Sequence, residues 1–178
     1  MFRFVLASAF VCATVALAAD KDTTVAFGDL KSTRPAEWVP EKTTSKLRFL
    51  QFKLPKKGDD KEDAEVVVFQ GISGSAKANI DRWKAQFRAP AGKKIDDLVK
   101  ESKLKVADND VYRLEAQGIF TATAMGFGPK PTPKENYKGV FFQFEAGDNV
   151  YHIRLVGPAK TVEHYQKGYE DWVKGFKK

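Results

Sequence analysis

The chain has 178 residues, with 30 Lys and Arg against 23 Asp and Glu, a formal net charge of +7 and one cysteine. A lone cysteine excludes an intrachain disulfide framework and every paired-cysteine metal motif. The positive charge is mostly lysine spread from Lys21 to Lys178, without the clustered arginine and stacking aromatics of a nucleic-acid surface, so the composition argues against nucleic acid and allows loose affinity for anionic polymers or headgroups.

Residues 1–18 read as a cleavable secretory leader. Arg3 supplies the positive start, Phe4 to Leu17 is apolar apart from Ser8 and Thr14, and Ala16 and Ala18 place small residues where the peptidase reads them. The run is shorter than the roughly 20 apolar residues of a permanent span. Cys12 leaves with the leader, and Phe10-Val11 before it are too bulky for a lipidation site. Residues 19–178 are then expected to form a single domain, large enough to fold without staples. Export without disulfides points to a bacterial periplasm or cell surface.

Thr24 to Phe27 allows a first short strand, and Pro35 to Pro40 is a proline-pinned turn with Trp38 folded inward. Lys46 to Leu54 and Ala64 to Gln70 have apolar residues on both faces, which predicts strands in the middle of a sheet covered on both sides. The charged run Lys56 to Asp63 between them predicts an exposed hairpin tip. Ala76, Ile80, Trp83 and Phe87 make one apolar stripe of a helix with Ser75 as its N-cap. Ile95 to Ser102 allows a short helix. Strands follow over Lys103 to Ala107 and Val111 to Thr123, with Tyr112, Leu114, Ala116, Gly118 and Phe120 on one face and a turn at Asp108 to Asp110. Ala124 to Tyr137 is a long proline-bearing loop. Tyr137 to Ala146 and Val150 to Val156 form a second hairpin whose core residues are Phe142, Phe144, Tyr151, Ile153 and Leu155. Gly157-Pro158 breaks that strand, and Ala159 to Phe176 is a helix presenting Val162, Tyr165, Tyr169, Trp172, Val173 and Phe176 on one side. Its Gly168 costs roughly 1 kcal/mol relative to Ala, which suggests close packing against the sheet. This order predicts an α+β fold: a largely antiparallel sheet with helices packed on one or both faces.

The chemistry-bearing patterns are sparse. Gly71-Ile72-Ser73-Gly74-Ser75 looks like a nucleophile elbow but has Ser75 where that strained turn needs glycine, so a helix-entry turn is the simpler reading. The same turn could alternatively hold an anion on free backbone N–H groups. His152 and His164 alone do not make a metal site, and Asp59 to Asp63 and Asp108 to Asp110 lack the calcium-loop pattern. No catalytic, cofactor or metal residue is designated. The best binding candidate is the long loop, where Met125 and Phe127 offer apolar contact and Lys130 and Lys134 charge.

Pro35-Ala36-Glu37-Trp38, the strand–strand–helix segment and the closing hairpin–helix resemble the PsbP/Mog1-like proteins. That resemblance implies an antiparallel sheet between helices and carries over no metal or photosystem-binding residue. Asn79 to Phe87 and Gly157 to Val162 also resemble motifs of exported proteins of Gram-negative bacteria. The expectation for function is a non-enzymatic binding or accessory protein of the periplasm or cell surface, its partner an envelope protein or anionic polymer. The alternative is a hydrolase acting on an envelope or extracellular substrate.

Overall fold

A computed structural model describes residues 23–43, 45–121 and 132–178; the leader expected over residues 1–18 lies outside them. Ten strands, β1 (Thr24–Phe27), β2 (Leu30–Thr33), β3 (Val39–Pro40), β4 (Arg48–Leu54), β5 (Ala64–Gln70), β6 (Phe87–Arg88), β7 (Val99–Val106), β8 (Asn109–Phe120), β9 (Lys134–Ala146) and β10 (Asn149–Pro158), accompany two helices, α1 (Ala76–Lys84) and α2 (Ala159–Lys174). Strands β3 to β10 form one antiparallel sheet in the order β3-β4-β5-β10-β9-β8-β6, with β7 also on β8, while β1 and β2 pair as a separate hairpin. The fold is α+β, with a helix on each face. Among the described residues no helix is long and apolar enough to cross a membrane.

The α2 face holds the larger core. Alternation on the strands sends Val66, Val68, Phe142, Phe144, Tyr151, Ile153 and Leu155 to this side, where they meet Val162, Tyr165, Tyr169, Trp172 and Val173 of α2. The β1–β2 hairpin closes one end. Phe27 stacks between Tyr151 and Phe176, with ring centroids 4.2 and 4.3 Å away, and Trp38 is fully buried with its ring 5.3 Å from that of Trp172. On the opposite face Ile80 and Trp83 of α1 cover Leu114, Ala116, Phe141 and Val156, with Trp83 stacked on Phe141 at 5.4 Å.

Several expectations are corrected. Strand β4 lies beside the short edge strand β3 instead of mid-sheet, and among the described residues one of its faces carries no helix; its apolar-looking run reflects a bulge between Arg48 and Leu50 that turns Phe49 toward Phe27 and Tyr151. Val39-Pro40 extends as an edge strand. The stripe of α1 ends before Phe87, which belongs to β6, and the predicted short helix is a single 3-10 turn at Ile95–Leu98 followed directly by β7. Gly168 faces Pro35, not the sheet: a Cβ there would stand 3.4 Å from Pro35 Cγ. The charged run is more than a solvated tip. Asp60 Oδ2 accepts bonds from the Thr161 N–H and hydroxyl, each 2.7 Å, and Asp59 pairs with Lys160. Helix α2 begins after Pro158, which has no capping side chain, so the hairpin supplies the missing acceptor from elsewhere in the chain.

Candidate functional site

Alternation places a second set of side chains on the α1 face of β4, β5 and β10. The cross-strand register aligns them in rows: Arg48–Phe69–His152–Gln143, Gln51–Val67–Arg154–Phe141, and Lys53–Glu65–Val156–Gly139. The β9 end of these rows is roofed by α1. The β4 end is covered by its own polar side chains, which stay partly exposed, and beneath them Val67 is fully buried.

At the boundary under α1, Asn79 is completely buried and its amide N–H₂ donates to Gln143 Oε1 (2.7 Å) and Gly74 O (3.2 Å), with His152 Nε2 at 3.3 Å. The two amide hydrogens of Asn79 are taken by Gln143 and Gly74, so Nε2 is only in polar contact with Asn79, and Nδ1 has no partner among the described residues. Burial, reinforced by the charge of Arg82, pulls the imidazole pKa down to about 4. This neutral histidine, with Trp83 edge-on at 5.6 Å, ties α1 to the sheet.

On the bare part, Arg154 and Arg48 converge from β10 and β4 on Glu65 between them. Arg154 donates to Glu65 Oε1 at 2.5 Å, and Arg48 lies 3.5 Å from Oε2. The closer acceptor of Arg48 is the neutral amide oxygen of Gln51 at 2.6 Å, and Gln51 in turn donates to Glu41. Arg154 lies over the Phe69 ring at 5.3 Å, a cation–π contact. Its Nε is without an acceptor among the described residues; burial lowers its pKa, as does the neighbouring Arg48 charge, against the pull of Glu65. Lys53 stands opposite Glu65 in the ladder. The strip can thus hold a negatively charged group on paired guanidinium forks.

Of the residues singled out from sequence, Met125, Phe127 and Lys130 lie outside the described residues. Lys134, at the start of β9, pairs with Glu62 and lies 3.3 Å from the Tyr137 hydroxyl. Burial and the Tyr137 bond to Glu62 push the phenol up to about 12. Ser75 accepts from the Ala78 N–H at 3.2 Å, so the Gly71–Ser75 segment is a helix entry. His164 is exposed on α2, on the other side of the sheet from the α1 face where His152 sits. Among the described residues no group of three His, Cys, Asp or Glu is placed to hold a metal. Arg48, Gln51, Glu65 and Arg154 were not legible as a cluster. The available signal was Arg154 alternating with Ile153 and Leu155, which marks a strand with one polar face.

No known protein family matches the chain, and comparison with curated proteins finds no match. Among solved structures, the chain is similar to a Pseudomonas aeruginosa protein of unknown function (14% identity, 85% of this chain and 93% of that one, TM-score 0.48). A Bacteroides thetaiotaomicron structure shares 13% identity over 83% of this chain and 44% of that one, with a TM-score of 0.43. The solution structure of cyanobacterial PsbP (CyanoP) from Synechocystis sp. PCC 6803 is matched over 93% of this chain and 96% of that one, at 11% identity and a TM-score of 0.51. At this identity the likeness concerns fold alone, and the fold is PsbP-like.

Proposed function

We propose that this protein is an exported, non-enzymatic binding or accessory domain of the bacterial periplasm or cell surface, acting through the uncovered part of the α1 face. The observation that supports this reading is the sheet face over β4 and β5, where Arg48, Gln51, Glu65, Phe69 and Arg154 form a partly exposed polar and aromatic surface. A binding role suits this surface better than hydrolysis. Its ionisable groups are arginines gathered on one carboxylate that is already paired, whereas general acid–base work needs groups free to give and take a proton. The leader-like start of the sequence supports export.

Two measurements test the proposal. Intact mass of material released from the periplasm or medium should correspond to a chain beginning at Ala19 or Asp20; retention of residues 1–18 overturns export. A photo-crosslinking residue at Gln51 should capture a specific partner from envelope material, while one at Lys100 on the outer strand β7 should not. Equal capture at both positions removes the strip from the proposal.

A further inference from the structure

We propose that the bare strip is an oxyanion site for a phosphate group, gripped between the guanidiniums of Arg48 and Arg154. This rests on the reading of the strip as the binding surface and adds the chemistry of what it binds.

Charge balance separates the two faces of the sheet. On the other face, Arg113, Lys138 and Lys174 meet Glu115, Glu170 and Glu163, and each of the two more buried basic groups, Arg113 and Lys138, lies within 4 Å of two different carboxylates. That network is balanced in charge, although Arg113 Nε has no acceptor among the described residues. The strip differs: Arg48 and Arg154 share the single carboxylate of Glu65, and one of them sits 3.5 Å from it. Lys53, opposite Glu65 in the ladder, adds a third cation, while Glu41 reaches the group through the Gln51 amide. Each guanidinium has five N–H donors. Among the described residues, the acceptor of Arg154 is Glu65, and those of Arg48 are Gln51 and Glu65.

The geometry then selects the ligand class. Glu65 already demonstrates that one anion can bridge both forks, because its two oxygens face the two arginines separately. A second anion approaching from solvent must meet the Nη donors that Glu65 and Gln51 leave over, because the Nε of Arg154 is buried. Phosphate, with several oxygens and more charge than a carboxylate, satisfies two forks at once. Phe69 holds the Arg154 plane from beneath, and the central position of β5 fixes the spacing, so little side-chain ordering is left to the binding event.

The phosphate can come from a soluble ion or from a lipid headgroup, and the test separates them. Inorganic phosphate is titrated into the full chain while the arginine Nε–H resonances are followed, and flotation is run in parallel with phosphatidylglycerol and phosphatidylcholine vesicles. Shifts at Arg48 and Arg154 with phosphate support a soluble ligand. Flotation with phosphatidylglycerol alone, weakening as salt is raised, supports a headgroup. Gln51→Glu places a competing carboxylate against Arg48 without removing a core group, and should weaken binding at least about tenfold. Lys100→Glu, the control on β7, should change it less than about twofold. No response to either probe, or equal loss in both variants, overturns the proposal. Specific crosslinking at Gln51 without any phosphate response would leave the strip as the binding surface and remove only its assignment to phosphate.

Discussion

The two faces of one sheet are built on different terms. The α2 face is a continuous aromatic core in which Phe27, Trp38, Phe144, Tyr169, Trp172 and Phe176 touch one another, and its charges at the margin form a balanced network. The α1 face is roofed along half its width by a nine-residue helix. The rest carries buried Asn79 and His152 and then the partly exposed arginine strip. One face secures the fold chiefly through area removed from water, while the other gathers cations around the single carboxylate of Glu65, which leaves their charge only partly satisfied. Partial satisfaction is costly in a core, and it is the arrangement from which a binding surface can be made.

The largest effect should come from the α2 face. Trp172→Ala removes a ring that touches Phe27, Trp38, Tyr169 and Phe176, and urea titration should show a loss near the top of the roughly 3–5 kcal/mol range for such changes. Trp83→Ala on α1 should fall near the bottom of that range, since the ring packs chiefly on Phe141 and His152. Equal losses would show that the faces contribute alike. Trp172→Phe sharpens the point, because it deletes an indole N–H that has no acceptor among the described residues and should cost much less than Trp172→Ala.

Next comes pH. His152 ionises near pH 6.5 when unfolded and near about 4 when folded, so its contribution is fully present above about pH 6.5 and is lost as pH falls toward 4. The unfolded chain binds the proton first, which makes acid destabilising. Each tenfold loss of proton affinity on folding corresponds to about 1.4 kcal/mol, so the full effect is of order 3 kcal/mol. Stability measured at pH 7.5 and 4.5 should fall less in His152→Gln than in the parent. An identical fall in both would mean that carboxylates elsewhere, not this face, govern acid sensitivity. A smaller loss, about 1–2 kcal/mol, is expected from Asp60→Ala, which strips the first turn of α2 of the side-chain acceptor for the Thr161 N–H.

Much of the fold was legible because periodicity reports which face is buried. Phe142, Phe144, Tyr151, Ile153 and Leu155 alternate, and the helical spacing from Val162 to Phe176 fixes the α2 surface. What stayed hidden depends on register. The bulge at Arg48 and Leu50 shifts which β4 residues share a face, so the approach of Arg48 to Arg154, 106 positions away in sequence, has no local signature. Asn79 lies three residues after Ala76 and four before Trp83, on the buried side of α1, but its polar side chain hides that placement from a search for apolar spacing. The role of Asp60 likewise follows from where the β4–β5 hairpin lies against α2, which composition alone does not determine.

The smallest effect is the one whose sign is most instructive. Gly168 lies within α2 at ordinary helical φ, where replacement by Ala gains roughly 1 kcal/mol of helix propensity. Against this, the new Cβ would stand 3.4 Å from Pro35 Cγ, at the border of ordinary contact, and Pro35 belongs to the connection leading to buried Trp38. That connection is held by the Arg34 guanidinium, which donates to Pro35 O and Trp38 O, so it yields only slightly. Gly168→Ala should therefore stabilise the protein by a few tenths of a kcal/mol, the propensity gain offset in part by the contact. Gly157→Ala is the contrast. Its Cβ would meet Ala64 Cβ at 2.5 Å and Cα at 2.7 Å across the β5–β10 ladder, where neither strand can move without disturbing both faces, and thermal melting should show a clear loss. If Gly168→Ala instead destabilises as much as Gly157→Ala, the Pro35 connection is as rigid as the sheet itself, and the glycine is there for the close approach of Pro35 to α2.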